Sequence, residues 1–359
     1  MAVKISALMR AVVYAGPNTV RVEDLPEPAI QDDRDAIVAI RKTAICGSDL
    51  HLLDGKTPGA REGGVIGHEF IGTVRELGDK VVKHYEDQRV LGAFLIVCGE
   101  CRHCKERRFN FCTNRRALGL GTLTGDLDGA QAEYVRIPNA DINLRPLTGA
   151  YSGLQDEEAL FGGDILATGF YAAALSEIRR DDVVVVIGAG PVGLFCALAA
   201  RRHNPSKVIV LDHDPTRVAF ATNNLGLDAI DVSSSDPQAE IAAATGGAMA
   251  DVAMDAVGVV PAVKSAMKCV RDGGRVTIVG VYGTERYELP MGVAWVRGID
   301  LRFSGMANVH AHWEDALLSV AKGELDPTKA ITHRLPLEDA AEGYELFKSR
   351  EAMKVVLTP

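Results

Sequence analysis

The pattern of hydrophobic and polar positions changes once along this chain, at about residue 165. Before that point, glycines separate short runs of β type such as residues 70–75 and 131–137. A further strand-like run begins at Met9, and a flexible extension is expected before it. Short strands of this kind, with frequent glycines between them, predict an irregular β-barrel.

From about residue 166 the pattern becomes an alternation of strands and amphipathic helices. Strands are predicted at 183–187, 207–211, 251–256 and 275–280, and helices at roughly 215–225, 236–244 and 260–271. Residues 183–200 carry no charge and are long enough to raise the question of a membrane span. The glycines within that run argue against a span, and the alternation predicts a doubly wound parallel sheet.

The glycines lie in the segment Gly188-Ala-Gly190-Pro191-Val192-Gly193, directly after a β-branched run and before an apolar helix. In a dinucleotide fold, Gly188 permits the tight turn, Gly190 lets the backbone approach a pyrophosphate, and Gly193 allows the helix to pack closely on the strand. Partial positive charge at the helix N-terminus favours phosphates. We therefore predict that this segment binds a dinucleotide.

The next strand ends in Asp212, close to the offset expected for an acid that binds the ribose hydroxyls. A carboxylate there would repel a 2′-phosphate, which predicts NAD over NADP. His213 and Arg217 lie nearby and weaken this preference, because a cation can accommodate the extra phosphate. Asp212 could instead cap the helix that starts near Pro215, although Asp214 suits that role better.

Four cysteines, Cys98, Cys101, Cys104 and Cys112, have the spacing of ligands around one tetrahedral zinc ion. Four thiolates leave no open coordination position, so we expect this zinc to be structural. Disulfides or a redox pair are the alternative. They would be cramped within one short loop and would not suit a chain that we expect to be cytoplasmic.

A second group of possible metal ligands lies upstream of the four cysteines. Cys46 and His68 offer a thiolate and an imidazole, and a catalytic zinc needs about three protein ligands and one open position. Each residue alone would more often be a buried core thiol or an ordinary loop histidine. Further polar residues on the same two segments are Ser48, Asp49, His51 and Glu69.

With the four-cysteine loop, this pattern resembles the zinc-dependent medium-chain alcohol dehydrogenases over nearly the whole chain. Many members of that family place a cysteine before the Thr-Gly pair that opens the cofactor domain, whereas this chain has Asp164 before Thr168-Gly169. Asp164 stands where members with an aspartate ligand carry it, so the resemblance implies Cys46, His68 and Asp164 as the catalytic ligands. Glu69 is the competing third ligand.

The resemblance also implies a fold of class α/β. A GroES-like irregular β-barrel catalytic domain would comprise residues 1–165 and 306–359, and a Rossmann nucleotide-binding domain would comprise residues 166–305. Ser48 would take the alcohol proton and pass it through the cofactor ribose to His51, although His51 could also be a plain surface histidine. Asp49 would orient His68. Expected cofactor contacts are Thr168, Gly188, Gly190, Pro191, Val192, Gly193, Asp212, Arg217, Val257, Val279, Val281 and Lys354.

The expected function is reversible hydride transfer between a primary or secondary alcohol and NAD, with two zinc ions per chain. Alternatives are a polyol or threonine-type dehydrogenase, a formaldehyde dehydrogenase, and a zinc-independent double-bond reductase on the same scaffold. A non-catalytic nucleotide or redox sensor that retains both zinc loops is a further alternative. The intact set of Cys46, Ser48, His51 and His68 weighs against the reductase and the sensor.

Bulk composition restricts the partners. The chain of 359 residues has a net charge of −9 without a basic cluster, so neither nucleic acid nor a membrane surface is an expected partner. Its N-terminus is too short in apolar residues for a secretory signal, and we expect a cytoplasmic protein. By resemblance, copies would pair through the strand at 300–305 into a homo-oligomer, with a tetramer favoured over a dimer.

Overall fold

A computed structural model describes residues 7–55, 59–283 and 286–359. Most of the predicted N-terminal extension therefore lies outside the described residues. The chain divides into two compact units: residues 1–164 with 308–359 form unit 1, and residues 165–307 form unit 2. Within the described residues, no helix combines the length and the apolar character that crossing a bilayer requires.

The strands are numbered in chain order. They are β1 (Leu8–Tyr14), β2 (Val20–Pro26), β3 (Ala36–Ala44), β4 (Glu69–Leu77), β5 (Arg89–Gly92), β6 (Leu95–Ile96), β7 (Arg116–Ala117), β8 (Tyr134–Ile137), β9 (Leu144–Pro146), β10 (Val183–Ile187), β11 (Lys207–Asp212), β12 (Asp228–Asp231), β13 (Ala250–Asp255), β14 (Val270–Ile278), β15 (Asp300–Phe303), β16 (His333–Pro336) and β17 (Val355–Thr358).

The α-helices are numbered in the same way. They are α1 (Gly47–Leu53), α2 (Arg102–Lys105), α3 (Ala140–Asn143), α4 (Asp156–Leu160), α5 (Ile165–Leu175), α6 (Pro191–Arg201), α7 (Pro215–Leu225), α8 (Pro237–Ala244), α9 (Val260–Cys269), α10 (Met291–Val296), α11 (Val309–Ala321) and α12 (Ala340–Lys348). Short 3-10 turns include Phe109–Phe111 and Phe161–Gly163.

Unit 2 is built on a parallel sheet. Its described strands lie in the order β12-β11-β10-β13-β14-β15, and every neighbouring pair is parallel. The strand order reverses between β10 and β13, which opens a crevice at the carboxyl ends of these strands where ligands of such sheets bind. The predicted doubly wound sheet is confirmed.

Strands β10, β11 and β13 lie within one residue of the predicted bounds, whereas β12 was not predicted and β14 starts earlier than predicted. This strand begins at Val270, whereas the sequence predicts a start at Arg275. A register shift between Ala250 and Val252 on β13 lets the charged and glycine-rich residues 271–274 continue the strand. A bulge of this kind leaves no signal in the hydrophobic pattern of β14 itself.

Unit 1 contains a mixed sheet in which the described strands run in the order β16-β17-β3-β4-β5-β9, with β8 paired to β3. Strand β17 pairs antiparallel with β3 through Val356 and Leu357, so residues near the C-terminus complete a sheet that starts near residue 36. A separate ribbon joins β1 to β2. The result is the predicted GroES-like arrangement, which positions Cys46 and His68 just outside β3 and β4.

Helix α11 packs on the four-cysteine loop through a buried histidine. The ring of His310 lies between Phe109 and Trp313, at centroid distances of 5.2 and 5.0 Å. Its Nε2 lies 3.0 Å from Oδ1 of Asn143, which also accepts a hydrogen bond from the backbone N–H of Val97. Because that oxygen is an acceptor, the proton of a neutral His310 imidazole lies on Nε2. Burial lowers the pKa of His310 to about 3.

This pKa makes the free energy of unfolding depend on pH. Between about pH 3 and pH 6.5, the unfolded chain binds a proton at His310 that the folded chain does not bind. The free energy of unfolding that neutral His310 contributes is therefore complete above pH 6.5 and decreases as the pH falls. At 1.36 kcal/mol for each pKa unit, the loss between pH 6.5 and pH 5 is about 2 kcal/mol. In urea unfolding followed by tryptophan fluorescence, His310→Gln should lose less free energy of unfolding over this interval than the unsubstituted protein.

The matched control is His333→Gln, which removes a strand histidine that is only half-buried. This variant should keep the acid sensitivity of the unsubstituted protein. Equal losses in the His310 variant and the unsubstituted protein would contradict the prediction.

Candidate active site

The two groups of predicted metal ligands both come together in unit 1. Sγ atoms of Cys98, Cys101, Cys104 and Cys112 lie within 4.8 Å of one another, with 3.6 Å between Cys101 and Cys104 and 3.5 Å between Cys98 and Cys112. All seven cysteines are free, so the disulfide alternative is wrong for this structure. Four thiol sulfurs at these separations fit one tetrahedral zinc with bonds of about 2.3 Å.

The second group contains Cys46, His68 and Asp164, and its potential ligand atoms also lie within 4.8 Å of one another. Cys46 precedes the first turn of α1, His68 precedes β4, and Asp164 follows the 3-10 turn Phe161–Gly163. Oδ2 of Asp164 is 3.3 Å from Nε2 of His68 and 3.6 Å from Sγ of Cys46. All three side chains are buried.

The chemistry of this donor set fits a divalent cation. Burial raises the pKa of the Cys46 thiol, and the carboxylates of Asp164 and Glu69 raise it further. A thiolate in this position therefore needs a compensating positive charge, which a zinc ion bound by Cys46, His68 and Asp164 would supply. Three protein ligands also leave one coordination position open, as a catalytic zinc requires.

Glu69, the predicted competitor for the third ligand position, has a different partner. Its Oε2 lies 2.5 Å from Nζ of Lys354, and neither side chain is exposed. Nζ of Lys354 also donates to the carbonyl oxygen of Ile45, 2.8 Å away. Burial lowers the pKa of Lys354, but the negative charges of Glu69, Cys46 and Asp164 and the hydrogen bond to Glu69 together outweigh burial, so the pKa is raised. The sequence predicts a cofactor contact for Lys354, which stays a prediction, and it carries no local signal for the buried ion pair with Glu69.

Helix α1 carries the two residues of the predicted proton relay. Ser48 and His51 are three residues apart, so they share one face of the helix. Oγ of Ser48 lies 3.2 Å from Nε2 of His68, on the side of the imidazole that faces Asp164. Nδ1 on the other side lies 3.2 Å from Oδ1 of Asp49, a contact that favours the tautomer with the proton on Nδ1 and with Nε2 free for a metal.

The predicted nucleotide-binding residues of unit 2 gather at the carboxyl edge of its sheet. Gly188 has a φ of +101°, and a Cβ there would lie 2.6 Å from Cγ2 of Val257. A Cβ on Gly193 would lie 1.9 Å from the carbonyl oxygen of Gly188, so only glycine lets α6 start so close to β10. Pro191 and Val192 form the first turn of α6.

Asp212 ends β11 beside the same turn. Its Oδ2 accepts a hydrogen bond from the backbone N–H of Ala189, and its Oδ1 accepts from the N–H of Asp214. The N-cap of α7 is Asp214, so the alternative that Asp212 caps this helix is wrong. Arg217 lies close to Gly190, because a Cβ on that glycine would be 3.6 Å from its Nη1.

The remaining predicted cofactor residues also belong to unit 2. Val279 and Val281 follow β14, and the backbone of Val281 contacts Gly258 at the end of β13. Thr168 lies buried in α5, where Gly169 allows close packing on α6. Their contacts with a cofactor stay predictions.

Two protein-family models match this chain. Residues 32–146 match the family "Alcohol dehydrogenase GroES-like domain", and residues 191–322 match "Zinc-binding dehydrogenase". An uncharacterized zinc-type alcohol dehydrogenase-like protein of Bacillus subtilis is 33% identical over 98% of this chain and 100% of its own length. A glutathione-independent formaldehyde dehydrogenase of Pseudomonas aeruginosa is 34% identical over 98% of this chain and 97% of its own length.

The solved structure of the alcohol dehydrogenase TADH from Thermus sp. ATN1 is 38% identical, with a TM-score of 0.91 over 98% of this chain and 99% of that one. Identity above 30% extends over nearly the full length of each of these proteins. This chain also carries both metal-ligand groups and the glycine-rich turn. The chain belongs to the zinc-dependent medium-chain alcohol dehydrogenase family.

Proposed function

We propose that this protein is an NAD-dependent alcohol dehydrogenase that interconverts a primary or secondary alcohol and its carbonyl compound at a zinc held by Cys46, His68 and Asp164. The observation that carries the proposal is the convergence of these three buried side chains from distant parts of unit 1. A zinc ion there supplies a Lewis acid that lowers the pKa of an alcohol, and NAD supplies the hydride acceptor.

Residues of α1 accept and transfer the proton that the reaction releases. Ser48 has its hydroxyl beside Nε2 of His68, where it can accept the proton of the substrate alcohol. His51, on the same face of the helix, is the terminal proton acceptor, because a histidine exchanges protons near neutral pH. A second zinc, held by Cys98, Cys101, Cys104 and Cys112, stabilises the loop between β6 and β7.

Formaldehyde oxidation without glutathione is the second candidate activity. It is favoured by the formaldehyde dehydrogenase relative and by the aspartate in place of a cysteine ligand. A polyol enzyme that uses Glu69 as a ligand is disfavoured, since the Glu69 carboxylate is paired with Lys354. A zinc-independent double-bond reductase is also disfavoured, because its reaction does not require the ligand group of Cys46, His68 and Asp164.

We also propose that the protein forms a homo-oligomer through the edge strand β15. This strand ends the sheet of unit 2, and the side chains of Phe303, Trp295 and Val296 nearby in the chain are largely exposed. An apolar sheet edge of this kind favours pairing with a second copy. A tetramer is our preferred assembly, by family resemblance.

Seven unbridged cysteines favour a reducing compartment, as expected of the cytoplasm.

Zinc content tests the proposed catalytic site. The unsubstituted protein should contain about two zinc ions per chain, and Cys46→Ser and Asp164→Ala should each contain about one, because each removes a ligand of the open site. Both variants should lose at least about 100-fold in kcat/KM for alcohols with NAD, since even outer-sphere changes cost 10–100-fold. Cys101→Ser should also contain about one zinc, lost from the closed site.

The control is Cys269→Ala, which removes a buried cysteine of unit 2 and should keep both zinc ions. Two zinc ions in Asp164→Ala would mean that another group completes the open site. A single zinc in the unsubstituted protein, unchanged by Cys46→Ser, would overturn the proposed function. Comparing ethanol, 2-propanol and formaldehyde as substrates separates the two candidate activities.

Cofactor preference tests the role of Asp212. Asp212→Asn keeps an oxygen that can accept from the N–H of Ala189 but removes the negative charge. The ratio of kcat/KM for NAD to that for NADP should fall at least about tenfold, because the 2′-phosphate is no longer repelled. Asp214→Asn is the matched control, since asparagine still caps α7 and the ratio should not change. An unchanged ratio in Asp212→Asn would contradict the assignment.

A further inference from the structure

Behind the candidate zinc ligands, a chain of buried polar contacts crosses unit 1. It runs from Tyr344 on α12 to Gln131, then to Asp49 on α1 and to His68. All four side chains are buried, with at most 3% exposure. None of the roles assigned so far includes Tyr344 or Gln131.

The donor and acceptor types of the groups define the direction of each hydrogen bond. Oη of Tyr344 donates to Oε1 of Gln131 at 2.8 Å. Nε2 of Gln131 donates to the carbonyl oxygen of Ala44 at 3.2 Å and to Oδ2 of Asp49 at 3.5 Å. Oδ2 of Asp49 also accepts from the backbone N–H of Cys46 at 2.9 Å. Asp49 therefore contacts both Cys46 and His68, and Gln131 contacts Asp49.

The amide of Gln131 can satisfy its neighbours in one orientation only. The carbonyl of Ala44 and the carboxylate of Asp49 are both acceptors, so the amide nitrogen must face them. A rotation by 180° would bring Oε1 against two acceptors in a site without water contact, at the cost of an unsatisfied buried group. Tyr344 stabilises the correct orientation by donating to Oε1. Burial raises the pKa of Tyr344 well above its usual range, so the hydroxyl keeps its proton.

Gln131 also restrains the backbone that carries His68. The backbone N–H of Gln131 donates to the carbonyl oxygen of Ile66 at 3.0 Å, and that of Ala130 donates to Gly67 at 2.8 Å. A Cβ on Gly67 would lie 2.3 Å from Cγ of Gln131, so the side chain lies directly on the glycine that precedes His68. One residue thus contacts the ligand segment from two directions.

We propose that Gln131 and Tyr344 are positioning residues for the catalytic zinc: they hold Asp49 and the 66–68 backbone so that Nε2 of His68 faces Cys46 and Asp164. The inference rests on the proposed function, because it assumes that these three residues bind zinc. Neither residue contacts the reacting atoms, and both act through the orientation of His68.

The rate at which the protein releases zinc to a chromogenic chelator measures this role directly. The unsubstituted protein should release zinc in a fast phase from the open site and a slow phase from the four-cysteine site. Tyr344→Phe should accelerate the fast phase about tenfold, the lower end of the effect of outer ligand partners. Gln131→Met, which keeps the length but removes both hydrogen-bonding groups, should accelerate it at least as much. The slow phase should not change in either variant.

The matched control is Tyr14→Phe, which removes a hydroxyl from a buried tyrosine of the same hydrophobic cluster. It should leave both phases unchanged. Combining Tyr344→Phe with Gln131→Met should add little to the Gln131 variant, because the two residues act in one chain. Steady-state kinetics should show a lower kcat with alcohols and an unchanged KM for NAD.

Other outcomes would overturn the inference. A lower urea midpoint in Tyr344→Phe and Gln131→Met, with zinc release and kcat as in the unsubstituted protein, would assign both residues a purely structural role. If the unsubstituted protein held two zinc ions and oxidised alcohols, this result would leave the proposed function intact. Release of only the slow phase from the unsubstituted protein would instead overturn the inference and the proposed function together.

Discussion

The arrangement of unit 1 depends on the balance of charge in a region closed to water. Asp49, Glu69 and Asp164 bring three buried carboxylates to the neighbourhood of the Cys46 thiol. Ionised groups without partners are very costly at such depth. Lys354 compensates Glu69, and a divalent cation bound by Cys46, His68 and Asp164 would compensate the remaining negative charge. Binding of such a cation would couple to the folding of this region.

The same constraint explains why neutral donors surround Asp49. The N–H of Cys46 and the amide of Gln131 approach one oxygen, and His68 approaches the other. A positively charged side chain beside either oxygen of Asp49 would compete with a bound metal for negative charge. Neutral N–H donors orient the carboxylate without neutralising it. The hydroxyl of Tyr344 extends this arrangement by one further dipole. In a low-dielectric interior, such partners are what make a buried polar network stable.

Much of this architecture could be predicted from the sequence because several signals are local. The four cysteines lie between residues 98 and 112, the glycine-rich turn after β10 occupies residues 188–193, and the acid that ends β11 follows at residue 212. The position of Lys354 beside Glu69 could not be predicted, because it depends on the pairing of β17 with β3 across some 310 residues. The sequence predicts Gln131 only as part of a strand-like run, and no local pattern indicates that its side chain points toward Asp49.

The position of β17 has a consequence for how the chain acquires its structure during synthesis. Residues 165–307 form a unit of their own and are synthesised before residues 308–359. Domains generally fold as units in the order in which they emerge. The first 164 residues, although made first, lack Lys354, Tyr344 and the strand beside β3 until residues 340–358 have been made. Unit 2 can therefore form before the candidate metal site of unit 1 is complete.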